Sequence, residues 1–167
     1  MTQKQKPRPG SAEDMKKRKA QIDKERARRR ERIERMVKAN DLIRAIADRG
    51  RRFFYSPTGY GYAYFRLNEK QRLYFHDDGT GEFLSCHVAW MNKRLFSHGG
   101  TMNGLVRALS KYVMFGTYLS RGYLGPWHSW VGGGDLWDYG EEAMGEIRQI
   151  ALDLGICEDL TKTEKGE

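Results

Sequence analysis

A chain of 167 residues with a net charge of +8 has room for one domain with an ordinary core plus an appendage. No run approaches the roughly 18 apolar residues of a spanning helix, and the charged start from Lys4 leaves no apolar stretch for a signal peptide. Neither membrane insertion nor secretion is expected, and the reading is a cytoplasmic protein.

The charge is uneven. Residues 1–52 hold 19 Lys and Arg against 8 Asp and Glu, a balance of +11, whereas the remainder holds 11 against 14, a balance of −3. The basic character belongs to one end, as in an arm that binds a polyanion. Residues 1–10 carry two prolines and three basic residues and are expected to be disordered. Ser11-Ala12-Glu13-Asp14 is a helix start, with an acidic residue three positions after the cap. No Pro or Gly interrupts the chain from there to Asp48, and Gly50 supplies a stop. Residues 12–32 have only Met15 and Ile22 as sizeable apolar groups, so that part reads as a solvated, charged helix. In residues 33–47, Ile33, Met36, Val37, Ile43, Ile46 and Ala47 recur at helical spacing and can bury a face. The domain boundary is therefore expected near Arg32. The arm is 1–32, the domain 33–156, and 157–167 a frayed tail.

Arg51 to Trp90 reads as an antiparallel meander of four strands: Arg51–Ser56, Tyr60–Leu67, Gln71–His76 and Glu82–Trp90. In the second strand Tyr60, Tyr62 and Tyr64 face one way, and Ala63, Phe65 and Leu67 the other. In the third, Leu73 and Phe75 oppose Arg72, Tyr74 and His76. Asp77-Asp78-Gly79-Thr80-Gly81 is a hairpin signal, because Asp-Gly tolerates the positive φ that such turns need. The spacing of Met102, Leu105, Val106, Leu109, Tyr112 and Val113 predicts a helix over Thr101–Phe115, stopped by Gly116. Residues 117–137 form a loop rich in glycine and aromatic residues, unusually long for a compact domain. A last helix is expected over Gly140–Leu154, with Met144, Ile147, Ile150, Ala151 and Leu154 facing inward and Gly155 ending it. The predicted class is α+β: a four-stranded antiparallel meander covered by helices and preceded by a basic helical arm. Cys86 and Cys157 form no CxxC pattern and read as free intracellular thiols.

Four groups of residues could carry chemistry. Lys16, Lys17, Arg18, Lys19, Arg26, Arg28, Arg29 and Arg30 would present a cationic helix to nucleic acid. The same residues fit a solvated helix laced with Glu and Asp pairs. Arg51, Arg52, Arg66 and Arg72, interleaved with Tyr60, Tyr62, Tyr64 and Tyr74, would put base-stacking planes beside cations if that face is open. Under a helix the same tyrosines would be core or cross-strand pairs. His76, Asp77, His87 and His98 are a chemically sensible metal set for a nuclease, but their spacing matches no metal motif and turn chemistry already explains Asp77-Asp78-Gly79. The corner Ser97-His98-Gly99-Gly100-Thr101 could cradle an anion at a helix start; a plain strand-to-helix turn with a hydroxyl cap explains all of it except the imidazole. Asp135, Asp138, Glu141 and Glu142 read as ordinary dipole partners of a helix start.

From Arg51 to Ile156 the chain resembles a group of small uncharacterised proteins of bacterial mobile elements, plasmids and phages. The resemblance rests on Arg51-Arg52-Phe53-Phe54, Phe96-Ser97-His98-Gly99-Gly100-Thr101, Leu124-Gly125-Pro126-Trp127 and Gly133-Gly134-Asp135-Leu136-Trp137-Asp138-Tyr139-Gly140. It implies an accessory role in a mobile element and points to no particular catalytic residues; no cofactor is expected. The leading expectation is a non-enzymatic nucleic-acid-binding accessory protein. An alternative is a module that binds a host protein through the aromatic loop, with Trp127, Trp130 and Trp137 as anchors. The third is the metal-dependent nuclease.

Overall fold

The computed structural model describes residues 10, 12–49, 53–56, 58–87, 96–98, 100–125 and 140–158. The chain divides into two compact units at the junction of Glu31 and Arg32. Helix α1 (Ala12–Ala47) runs through that junction without a break, since nothing in its 36 residues is Pro or Gly. Glu13 and Asp14 stand in its first turn and Arg44 in its last, each on the favourable side of the helix dipole. Arg49 Nη1 donates to Ala45 O (2.6 Å), satisfying a carbonyl of the final turn.

The second unit is α+β. Strands β1 (Tyr55–Ser56) and β2 (Gly61–Tyr62) form a two-stranded antiparallel sheet. Strands β3 (Tyr64–Leu67), β4 (Leu73–His76) and β5 (Phe83–Ser85) form a three-stranded antiparallel sheet in that order. After the sheets come α2 (Gly100–Phe115), a 3₁₀ turn (Arg121–Leu124) and α3 (Glu141–Asp153).

The single meander expected from the sequence is thus two smaller sheets. The long second strand is interrupted at Ala63, whose N–H turns back to Phe54 O (3.0 Å) instead of pairing toward β4. Phe54 sits at φ +61°, a backbone state that a bulky residue rarely takes, and it ends the regular pairing of β1. Gln71, at φ +59°, likewise delays the third strand to Leu73. Arg51, Arg52 and residues 88–95 lie outside the described residues, so the outer ends of the first and fourth predicted strands do too.

One face of the three-stranded sheet makes the core. Phe65, Phe75 and Leu84 form one cross-strand rung and Leu67 and Leu73 the next. Phe65, Leu73 and Phe75 are almost wholly buried, with Leu42, Ile43 and Ile46 of α1, Met102, Leu105 and Leu109 of α2, and Met144 and Ile147 of α3. Each such side chain contributes about 1.5–3 kcal/mol on burial. The packed stripe of α1 is Ala39, Leu42, Ile43, Ile46 and Ala47, a regular i, i+3, i+4, i+7, i+8 series. Ile33 and Val37 were expected on it but are exposed, because at 3.6 residues per turn they fall roughly a third of a turn or more off its centre.

Polar groups join the layers. Phe65 stands where β3 has no neighbour on its free edge, and Asn40 of α1 fills that edge as a strand would. Its Nδ2 donates to Phe65 O (3.0 Å), and its Oδ1 accepts from Phe65 N (2.6 Å). An amide side chain carries the same donor and acceptor as a peptide, which makes this pairing possible. Asn40→Ala is expected to lose about 2 kcal/mol, read as a shift of the urea midpoint at unchanged slope; a loss below about 0.5 kcal/mol would show the edge to be satisfied by water. Arg35 Nε donates to Val113 O (3.0 Å) in the last turn of α2. Arg49 Nη2 pairs with Glu146 Oε2 (2.7 Å) of α3.

The C-terminal end of α3 closes in a Schellman motif. Gly155, at φ +66°, donates to Leu152 O (2.9 Å), and Ile156 N donates to Ala151 O (2.9 Å). This turn sends Ile156 and Cys157 back into the core, where Leu119 N donates to Ile156 O (2.8 Å) and Leu119 bridges Cys157 in parallel. Cys157, expected at the start of a frayed tail, is therefore a core residue; residues 159–167 lie outside the described residues.

Candidate functional site

The eight cations of the N-terminal segment, Lys16, Lys17, Arg18, Lys19, Arg26, Arg28, Arg29 and Arg30, all stand exposed on α1. At about 100° per residue they are spread over every bearing of the helix rather than gathered on one face. Lys17 pairs with Glu13 (2.8 Å), with both side chains exposed, so solvent screens that pair and it holds little of the cationic field in check.

The sheet's second face differs from its core face. Its strand positions are Tyr64, Arg66, Tyr74, His76, Phe83 and Ser85, paired across the strands as Tyr64–His76–Phe83 and Arg66–Tyr74–Ser85. The His76 ring is stacked on Tyr64 (centroids 4.8 Å, 24°) and tilted against Phe83 (5.1 Å), while Nδ1 faces Tyr62 O (3.3 Å). This sandwich buries the imidazole but leaves its flanking rings open: Tyr64 is 37% and Phe83 44% exposed. The Arg66 guanidinium lies 5.9 Å from the Phe83 centroid. Next to this ladder Tyr55 and Tyr62 are cross-strand partners with rings 5.8 Å apart, and Arg44 of α1 sits 4.4 Å over the Tyr62 ring. Tyr60 lies against Gly81, where a Cβ would meet its ring at 2.8 Å. Arg72, just before β4, is exposed and holds its backbone against Asn68.

The alternation in the sequence therefore leaves Tyr60 and Tyr64 exposed, while Tyr62 and Tyr74 are half-buried and Tyr62 packs against the core. Phe83, Tyr55 and Arg44 were not among the expected site residues. The register of the hairpin would have exposed Phe83, since a turn over Asp77–Glu82 sets it opposite His76. Arg44 had no such signal, because only packing brings α1 beside β2.

The corner of Ser97 and His98 is held by the hairpin turn. Asp77, wholly buried, accepts from Gly79 N (3.0 Å), Thr80 N (3.0 Å) and Thr80 Oγ1 (3.2 Å) through Oδ1, and from Ser97 N (2.9 Å) through Oδ2. Asp78, 1% exposed, meets His98 Nε2 at 2.7 Å. The imidazole is ringed by Phe53, Phe54 and Phe96 at 5.7, 6.0 and 5.7 Å. Gly79 approaches so closely that a Cβ there would overlap the Ser97 side chain. The imidazole thus has a structural task, as partner of a buried carboxylate. The corner already faces two of the protein's own carboxylates, which disfavour a further anion beside them. Gly100 begins α2 and Thr101 follows in its first turn, while Gly99 lies outside the described residues.

The four suggested metal ligands are not brought together. His87 Nε2 accepts from Leu73 N (2.8 Å), His76 is held in its ring sandwich, and Asp77 and His98 are engaged as above. Among the described residues no group of three or more His, Cys, Asp or Glu is placed to hold a metal ion. Neither thiol is poised for attack: burial pushes Cys86 up to about 12 and raises Cys157 as well, so both stay protonated at neutral pH. Trp127, Trp130 and Trp137 lie outside the described residues. A depression of about 570 Å³ is lined by residues 116–121 and Glu158, with Tyr118, Arg121 and Glu158 as its titratable residues, and Arg121 Nη2 donates to Glu158 O (3.1 Å). No helix among the described residues is long and apolar enough to cross a membrane.

The described residues thus make a small α+β protein with exposed rings on one sheet face and an exposed basic stretch in α1. By sequence comparison the chain belongs to the YoqU family, whose profile matches residues 29–165. One relative is the "SPbeta prophage-derived uncharacterized protein YoqU" of Bacillus subtilis (strain 168), 35% identical over 129 residues, which cover 77% of this chain and 86% of the relative. The resemblance to small phage proteins is thereby established. No solved structure matches the chain. The matched region leaves residues 1–28, and with them most of the basic segment, outside the family profile.

Proposed function

We propose that the protein is a non-enzymatic accessory factor of a bacterial mobile element that binds nucleic acid in the cytoplasm. The observation that supports this is the exposure of eight cations at every bearing of the helix before Arg32. Such a segment neutralises phosphates from whichever side it meets them, releasing counterions without reading sequence. Phosphate contacts of this kind position a protein and set its affinity; they do not specify a site.

The test keeps the full chain and removes charge alone. Lys16→Gln, Lys17→Gln, Arg18→Gln, Lys19→Gln, Arg28→Gln, Arg29→Gln and Arg30→Gln are combined, since glutamine sustains a helix as well as lysine does. In 50 mM salt the affinity for mixed-sequence DNA and RNA is expected to fall by about two to three orders of magnitude. The slope of log K against log salt is expected to flatten by roughly three to seven. Binding by the unaltered chain no tighter than millimolar, or a variant within about threefold of it, removes the proposal.

A further inference from the structure

From the open sheet face we infer, on the nucleic-acid reading above, that the protein takes single strands, seating their bases on Tyr64 and Phe83 with Arg66 and Arg44 beside the phosphates. The solvent side of an antiparallel sheet is ordinarily polar. Here the six outward strand positions hold four rings, one arginine and one serine, and no carboxylate. Tyr55 and Tyr60 extend the exposed aromatic surface at 41% and 57%. Arg66 lies 5.9 Å from the centroid of the exposed Phe83 ring, so a cation is held next to a stacking plane; Arg44, itself exposed, lies 4.4 Å over Tyr62, a ring packed against the core, and 4.0 Å from Asp48. That juxtaposition matches a nucleotide, whose flat base is joined to a phosphate, and it suits every base, because every base has a π face. A duplex hides those faces in its own stack, so the surface discriminates against it. An acidic protein partner would be drawn by the arginines but would have no use for a ring ladder in particular.

The experiment measures anisotropy of a labelled 12-nucleotide single strand, as DNA and as RNA, and of the matching duplex. The full chain is used throughout. The unaltered protein is expected to prefer the single strand about tenfold or more. Tyr64→Ala with Phe83→Ala is expected to lower single-strand affinity roughly ten- to hundredfold, leave duplex affinity within about threefold, and leave the salt slope unchanged. Because these rings flank buried His76, a second pair, Tyr64→Leu with Phe83→Leu, keeps apolar cover over the imidazole and is expected to show the same loss. Tyr64→Phe is expected to bind like the unaltered chain. Equal affinity for single strand and duplex, together with folded ring variants that bind as before, overturns the inference and leaves the basic helix as the binding element. A parallel loss for both nucleic acids in the leucine pair also overturns it. Failure of the unaltered chain to bind either one overturns this inference and the proposed function together.

Discussion

Asp77→Ala is expected to lose about 3–5 kcal/mol of stability, the largest cost of any polar substitution in the second unit. A single carboxylate with no solvent exposure accepts four hydrogen bonds there, three from its own turn and one from Ser97 N. Hydrogen bonds to an ionised acceptor contribute about 1.5–3 kcal/mol each, and a donor left buried without one costs about 1–3 kcal/mol. Water can reach Gly79 and Thr80, which are exposed, and will recover part of the loss. It reaches the Ser97 contact less easily, because that bond joins two segments 20 residues apart through a buried oxygen. Asp77→Asn keeps one oxygen and gives up the other, so it is expected to fall about midway. Urea midpoints at constant slope measure both. A loss below about 1 kcal/mol for the alanine variant would show that the turn holds itself and that its link to the corner is incidental.

His98→Ala follows at about 3 kcal/mol. The substitution leaves Asp78 buried without its partner and opens space among Phe53, Phe54 and Phe96. Breaking one side of a buried pair costs more than removing both sides. Asp78→Ala combined with His98→Ala is therefore expected to be less destabilised than the two single variants summed, with a coupling of about 1.5 kcal/mol or more in the double-mutant cycle. Nucleic-acid affinity of the folded His98→Ala protein is expected to match that of the unaltered chain. A variant of normal stability that has lost binding would reverse this assignment and make the imidazole part of a site.

These two results bear on how much of the candidate site can be read from residues in order. The alternation of Tyr60, Tyr62 and Tyr64 against Ala63, Phe65 and Leu67 announces a two-sided sheet, and the buried set Phe65, Leu73 and Phe75 agrees with it. The regular spacing of Met102, Leu105, Val106, Leu109, Tyr112 and Val113 announces α2, and all six are buried. His98 carried no such meaning. A glycine corner calls for a turn and a cap, and nothing nearby in the chain supplies the carboxylate that explains an imidazole. Asn40 is a comparable case. An asparagine inside a helix is locally unfavourable, because its side chain competes for the backbone. That anomaly is the sign of a partner elsewhere, here the free edge of β3.

The amino-acid sequence by itself determines the uneven charge, the α+β class, the helical segments with the glycine stops of α2 and α3, and the two faces of β3 and β4. Each follows from spacing within a few residues, so local periodicity is enough. Tertiary structure decides the rest. It breaks the expected meander at Ala63, shifts the packed stripe of α1 to Ala39–Ala47, and returns Cys157 to the core. It also binds His98 to Asp78 and brings Arg44 over Tyr62. All of these join residues far apart in the chain, and their geometry depends on how helices and sheet pack around a shared core. Whether a tyrosine ring is a core contact or an open stacking plane belongs to that second group, since the same alternation serves both and only a covering element distinguishes them.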